Sequence, residues 1–126
     1  MTTAYRILAA GWSCNDVSLL REAVADFLCD FKIAHDGADC LVQLQRFQPH
    51  LVLLDTSILD PDAFELCRRI KNDHMAMVVI VTALTEFGDI DRAVDAGTDD
   101  FLPKPIDGIE LRRRVAILIA LNDTLR

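Results

Sequence analysis

The sequence of 126 residues lacks the long apolar runs that membrane proteins need. No run approaches the roughly 20 apolar residues of a membrane-spanning helix, and residues 1–6, MTTAYR, do not contain the apolar region of a signal peptide. We therefore expect a cytoplasmic protein that does not associate with a membrane.

Positive charge is also scarce. The net charge at pH 7 is −7, and the longest basic cluster is the short run at residues 112–114. This balance argues against a surface for nucleic acid or anionic lipid. Proteins or cations are the expected partners.

Cysteine is present but not in a pattern that indicates chemistry. Cys14, Cys29, Cys40 and Cys67 have neither the paired spacing of a zinc site nor the density of a disulfide scaffold. They lie in or beside apolar periodic segments. We interpret them as reduced and mostly core residues.

Hydrophobic residues make up 52% of the chain, which suits one domain, residues 1–126, with a substantial core. Apolar runs predict strands at residues 5–10, 31–35, 51–55, 77–82 and 99–102. Between and after these strands, apolar residues recur at helical spacing. Five strands alternating with five helices predict a doubly wound, five-stranded parallel sheet with helices on both faces, the flavodoxin-like (βα)5 architecture.

The predicted helices have recognisable faces and ends. The first begins near Asp16, an Asp36-Gly37 turn precedes the second, and Asp62 caps the third. The fourth carries Ile90, Ala93 and Val94 and stops at Gly97. The last runs from about Asp107 to Asn122 with Leu111, Val115 and Leu118 facing inward.

In a doubly wound sheet the functional crevice lies beyond the carboxyl ends of the strands, where the strand order reverses. Trp12 follows the first predicted strand, Asp55 ends the third, Thr82 ends the fourth and Lys104 follows the fifth. We expect these four residues to converge.

Four motifs carry a resemblance to a known family. They are Asp55 after LVLL, the following DAFELCRRIK, the VTA that contains Thr82 and Ala83, and AGTDDFLPKP at residues 96–105. In this order and spacing they resemble the receiver domain of two-component response regulators of the chemotaxis type. The resemblance covers essentially the whole chain.

The resemblance implies a phosphorylation site. Asp55 would accept a phosphoryl group from a histidine kinase or phosphotransfer protein, Thr82 would hydrogen-bond that group, and Lys104 would pair with its charge. Phe101 would act as an aromatic switch, and the Lys104–Pro105 peptide would be cis. A carboxylate can attack phosphorus, and positioning with charge neutralisation provides most of the catalysis. Such a domain is not an enzyme beyond self-dephosphorylation.

The chain departs from the family after its first strand. Receivers carry two adjacent acidic residues there that hold Mg²⁺, whereas this sequence has Gly11 and Trp12. Only Asp55 and the backbone carbonyl of Ser57 remain from the family's ligand set, so we expect Mg²⁺ to bind weakly or not at all. In the loop after Asp55, Leu59 replaces the usual proline.

Several residues allow two interpretations. Trp12 either packs as an apolar lid or occupies the space of the Mg²⁺ ion. Lys104 is either functional or a structural partner of Asp55, and Phe101 is either switch or core. The remaining acidic candidates for replacement metal ligands, which could equally cap helices or face water, are Asp16, Asp60 and Asp62.

The last helix predicts a partner surface. Ile117 and Leu121 lie away from its inward face, so an apolar strip is expected to remain exposed. In the family, the fourth helix, fifth strand and fifth helix form a dimer or output face, which would here include Arg92, Asp99, Asp100 and Arg113. The alternative is burial at the sheet edge, with an output domain following Arg126.

The leading hypothesis is a receiver with an incomplete phosphorylation and Mg²⁺ site that acts mainly through protein contacts. The alternative is a phosphorylation-competent receiver with a makeshift metal site. A flavin carrier would need a glycine-rich phosphate loop after the first strand. An aspartyl phosphohydrolase would need a second aspartate where Ser57 lies.

Overall fold

The computed structural model describes residues 4–83 and 87–124. Strands and helices alternate along the whole of this part. In chain order they are β1 (Tyr5–Ala10), α1 (Cys14–Ala23), β2 (Cys29–Ala34), α2 (Gly37–Phe47), β3 (Leu51–Asp55), α3 (Ala63–Asp73), β4 (Met77–Thr82), α4 (Phe87–Asp95), β5 (Asp100–Pro103) and α5 (Gly108–Thr124).

The five strands form one parallel sheet in the order β2-β1-β3-β4-β5. The predicted doubly wound architecture is therefore confirmed. The order reverses between β1 and β3, so the crevice expected for this fold lies beyond the carboxyl ends of those two strands. No helix among the described residues is long and apolar enough to span a bilayer.

Two apolar layers cover the sheet. One packs α1 and α5 against side chains such as Ile7 and Leu53, and the other packs α2, α3 and α4 against side chains such as Leu8 and Leu54. All five residues of β3 are buried. A strand covered on both faces must be apolar on both, which is why the run at residues 51–54 has no alternation.

The predicted buried face agrees with the structure in α5 but only in part in α4. Leu111, Val115 and Leu118 are buried in α5 as predicted. In α4, by contrast, Ala93 is buried while Ile90 and Val94 are 42% and 60% exposed. The helical spacing was correct, but it does not reveal which apolar side chains a short surface helix leaves in solvent.

Several predicted boundaries shift by one or two residues. Helix α1 begins at Cys14 rather than near Asp16, since Ser13 Oγ accepts the Asp16 N–H at 3.2 Å and caps the helix. Strand β2 begins at Cys29, where it pairs with Tyr5. The predicted turn at residues 36–37 is the cap and first residue of α2, with the Asp36 carboxylate accepting the Asp39 N–H.

Gly37 lets the loop after β3 pack against the start of α2. Its N–H donates to the Leu59 carbonyl at 2.9 Å. A Cβ at this position would lie 2.4 Å from both the backbone nitrogen and the backbone oxygen of Pro61. Because backbone atoms cannot rotate away as side-chain tips can, residue 37 must be glycine for this packing.

We therefore predict that Gly37→Ala lowers the free energy of unfolding by about 1–3 kcal/mol, the usual cost of overpacking. Gly108→Ala is a matched control because Gly108 also begins a helix, and a Cβ there would meet only Leu19 Cδ2 at 3.8 Å. Urea denaturation should place the control within about 1 kcal/mol of wild type. Equal losses in the two variants would contradict the packing explanation.

The four cysteines are free, and two of them are core residues. Cys40 and Cys67 are buried, Cys29 is half-buried and Cys14 is exposed. Burial, with a smaller contribution from nearby aspartates, raises the pKa of Cys40 to about 12 and that of Cys67 to about 11. Both thiols are therefore poor nucleophiles in the folded protein.

Thiol labelling tests this arrangement. At pH 8 the native protein should react with a disulfide reagent first at Cys14, while Cys40 and Cys67 should react only after denaturation, because the reactive thiolate is disfavoured and shielded. Peptide mapping identifies the sites. Labelling of Cys67 at the rate of Cys14 would show that the α3 side of the core opens readily.

Candidate functional site

Two of the predicted site residues meet at the carboxyl edge of the sheet. Asp55 ends β3 opposite Val81 of β4, and Lys104 follows β5. The Lys104 N–H donates to the Thr82 carbonyl at 2.9 Å, which joins the ends of β4 and β5. The Lys104–Pro105 peptide is cis, as the resemblance implied.

The Asp55 carboxylate is buried and has contacts at both oxygens. It is 1% exposed. The Lys104 ammonium forms an ion pair with Oδ2, and the Ser57 N–H donates to Oδ1 at 2.8 Å. The lysine side chain remains 31% exposed, so the charge of a buried carboxylate is balanced by a group that still reaches water.

Thr82 lies on β4, next to β3 in the sheet, and Phe101 lies on β5, beyond β4. Thr82 is buried at the end of β4. Phe101 is half-buried and packs against the apolar layer formed by α2, α3 and α4, opposite Ile80 in the sheet register. Its position is that of a core residue at the sheet edge, and a switching role stays a prediction.

Trp12 is a buried residue in the loop after β1. It is 7% exposed and belongs to the apolar layer of α1 and α5. Its indole N–H donates to the Leu53 carbonyl at 3.1 Å. Because side chains alternate along a strand, Leu53 and Asp55 share a face of β3, so the indole packs on the same side of the sheet as the carboxylate.

Gly11 has a backbone conformation that L-residues rarely adopt. Its φ is +79°, and a Cβ there would lie 3.1 Å from Ile58 Cβ and 3.4 Å from Asp55 Cβ. Two hydrogen bonds fix the position: its N–H donates to the Ala34 carbonyl at 3.0 Å, and its carbonyl accepts the Ser57 hydroxyl at 3.2 Å. The loops after β1 and β3 are thus tied together.

The donors at this edge do not fit a Mg²⁺ ion. Within residues 4–83 and 87–124, no three His, Cys, Asp or Glu side chains are grouped so that they could hold a metal. Asp62 caps α3 and lies 3.8 Å from Arg92, Asp16 lies in the first turn of α1, and Asp60 is exposed. Of the oxygen ligands that Mg²⁺ needs in octahedral geometry, the family set keeps only the Asp55 carboxylate and the Ser57 carbonyl here.

A crevice of about 340 Å³ opens at the point where the strand order reverses. It lies between the loops after β1 and β3 and the start of α2. Its lining is Gly11, Trp12, His35, Asp36, Ser57, Ile58, Leu59 and Asp60.

The charged residues of the predicted partner surface are largely bound within the domain. Arg92 lies over the Phe64 ring of α3 at 4.1 Å. Asp99 pairs with Lys71 at 2.9 Å. Arg114 Nη1 lies 2.6 and 2.7 Å from the two Asp100 oxygens, and hydrogen bonds to Asp100 and Glu110 raise the pKa of Arg114.

The apolar part of that surface is exposed as predicted. Ile117 and Leu121 of α5 are 57% and 45% exposed, and Arg113 is also exposed. Sequence reasoning missed Ile90 and Val94 of α4, which add to the exposed apolar area. The two helices flank β5 in chain order.

A parallel sheet of order 2-1-3-4-5, with an aspartate ending its third strand and a lysine following its fifth, defines a receiver-like class of signalling domain. The response regulator receiver domain model matches residues 14–116. The chain belongs to that family, the receiver domains of two-component response regulators.

Three comparisons illustrate the relationship. Response regulator PleD of Caulobacter vibrioides is 35% identical over 90% of this chain, which spans only 26% of PleD. DNA-binding response regulator MtrA of Mycolicibacterium paratuberculosis is 31% identical over 75% of the chain, which spans 42% of that protein. The receiver domain of an HD domain-containing protein from Pseudomonas fluorescens Pf-5 superposes with a TM-score of 0.89, covering 100% of this chain and 94% of that one, but at 20% identity it supports the fold alone.

Replacing Lys104 with methionine should strongly destabilise the domain. The change leaves the Asp55 carboxylate buried without its counter-charge, and we expect a loss of about 3 kcal/mol in the free energy of unfolding. Asp55→Asn should cost less, because the amide oxygen can still accept the Ser57 N–H and Lys104 can turn to water.

A double-mutant cycle in urea isolates the interaction. Adding Asp55→Asn to Lys104→Met should restore stability relative to Lys104→Met alone. If the two losses simply add, the contact contributes no coupling and the buried-charge explanation fails.

Proposed function

We propose that this receiver has an incomplete phosphorylation site and acts mainly through protein contacts. Its signalling output would depend on surfaces of α4 and α5 rather than on a phosphoryl group at Asp55. As a domain of a two-component system it would contact a histidine kinase or phosphotransfer protein, a second copy of itself, or an output segment elsewhere in a longer protein.

The observation that carries the proposal is the state of the Asp55 carboxylate. Lys104 contacts one oxygen and the Ser57 N–H the other, while Gly11 and Trp12 replace the acidic pair that would hold a cation. An incoming phosphoryl group adds about −1.5 to −2 charge. To attack phosphorus, Asp55 would have to release one of its present partners, and Lys104 with Thr82 would have to stabilise the added charge.

The exposed apolar side chains of α4 and α5 support protein contacts. Ile90, Val94, Ile117 and Leu121 expose apolar area to solvent. Because Asp99 and Asp100 already pair within the domain, a partner would bind chiefly through apolar contact.

MtrA is a DNA-binding protein, but the net charge of −7 supports no nucleic-acid contact by this domain. The free thiols support a cytoplasmic location.

Surface and site variants distinguish the two routes of signalling. In the natural protein in its own cells, Ile117→Glu with Leu121→Glu should abolish cross-linking to partners, while Asp55→Asn should retain it. Val42→Glu is the matched control, since Val42 is 47% exposed but lies on α2, which packs on the other face of the sheet from α5. Loss of cross-linking in Asp55→Asn and retention in the surface variant would refute the proposal.

The second candidate function is a phosphorylation-competent receiver that accepts a phosphoryl group on Asp55. It is favoured by Asp55, Thr82 and Lys104 lying at neighbouring strand ends. Incubation with acetyl phosphate, with and without Mg²⁺, followed by intact-mass measurement, tests it. We expect little phosphoprotein in either condition, and a substantial adduct that Asp55→Asn removes would make this second function the correct one.

A further inference from the structure

We propose that the backbone conformation of the β1–α1 loop prevents a cation from binding beside Asp55. Restoring the two acidic side chains would therefore not restore Mg²⁺ binding. In this inference, which rests on the proposed function, Lys104 is the permanent counter-charge of Asp55. The domain therefore has a metal-independent form of the receiver site rather than a site that lacks only two side chains.

The backbone conformation of Gly11 disfavours any residue that has a side chain. At a φ of +79° any L-residue is strained, and its Cβ would lie 3.1 Å from Ile58 Cβ, closer than such carbons normally approach. Ile58 is 3% exposed and packed in the core, so it has little room to move. An aspartate at position 11 would therefore have to change the loop before its carboxylate could bind anything.

Hydrogen bonds on three sides oppose that change. The Gly11 N–H is bonded to Ala34 of β2, its carbonyl to the Ser57 hydroxyl, and the next residue, Trp12, to the Leu53 carbonyl of β3. The loop is thus attached to both neighbouring strands and to the loop after Asp55. Moving it away would break these bonds, and the two at Gly11 remain in variants that replace Trp12.

The negative charge of Asp55 is already balanced within the domain. The Asp55 carboxylate already has a cation at Oδ2 and a backbone N–H at Oδ1. A divalent ion would have to displace the ammonium, which is tethered to the domain and therefore has a high effective concentration. Lys104 thus performs the neutralisation that a metal would otherwise provide.

Calorimetric titration with MgCl₂ tests the inference on wild type, on Trp12→Asp and on the Gly11→Asp, Trp12→Asp double variant, with Asp55→Asn as the blank. We expect every titration to match the blank. Saturable binding at millimolar Mg²⁺ by wild type or either acidic variant, abolished when Asp55→Asn is added, would overturn it.

Two further variants keep the test decisive if the double variant does not fold. Lys104→Met removes the competing ammonium and leaves the loop unchanged. Because the β1–α1 loop still offers no carboxylate beside Asp55, we expect Mg²⁺ to leave the melting temperature of this variant unchanged, and an Asp55-dependent increase would overturn the inference. Gly11→Ala should lower the melting temperature more than Gly97→Ala does. Gly97 also has a positive φ, +87°, but a Cβ there would meet nothing closer than Lys71 Cγ at 3.5 Å, so equal shifts would overturn the role of crowding.

The outcomes separate the two proposals. Phosphorylation of Asp55 by acetyl phosphate without Mg²⁺ would refute the proposed function and leave the metal-independent site intact. Mg²⁺ binding would refute the metal-independent site. Partner contacts that persist in Asp55→Asn would, in that case, leave the proposed function intact.

Discussion

The arrangement of the site depends on one buried carboxylate. Asp55 lies at the tip of a strand that is covered on both faces, so it cannot reach bulk water and its charge must be balanced locally. The Lys104 ammonium pairs with that carboxylate, and Gly11 lies beside it on the loop after β1.

The neighbouring loops are joined to one another. The Ser57 hydroxyl donates to the Gly11 carbonyl, which ties the loop after β3 to the loop after β1. The loop after β3 packs on the start of α2, where Gly37 admits it. At this edge of the sheet, hydrogen bonds and packing therefore hold the two loops and the start of α2 together.

Much of this could be predicted from the sequence. The apolar runs of β3 and β4 and the alternation with helices were sufficient for the fold, because a strand buried on both faces has a composition that few other elements share. The positions of Asp55 and Lys104 at strand ends followed from the topology. The exposure of Ile90 and Val94 did not, since periodicity identifies a helix but not the depth at which it lies. The bonds from Gly11 to Ala34 and from Trp12 to Leu53 could not be predicted either, because they join residues far apart in the sequence and no local pattern signals them.

The position of Trp12 also has an optical consequence. It is the only tryptophan in the chain, it is almost wholly buried, and its indole N–H is bonded to one carbonyl of the central strand. Its emission should therefore be that of an apolar environment and should shift to longer wavelength only when the loop after β1 leaves the core. The domain has a built-in fluorescent reporter beside its central carboxylate, one that can be read in the presence of kinases or partners whenever those are supplied without tryptophan.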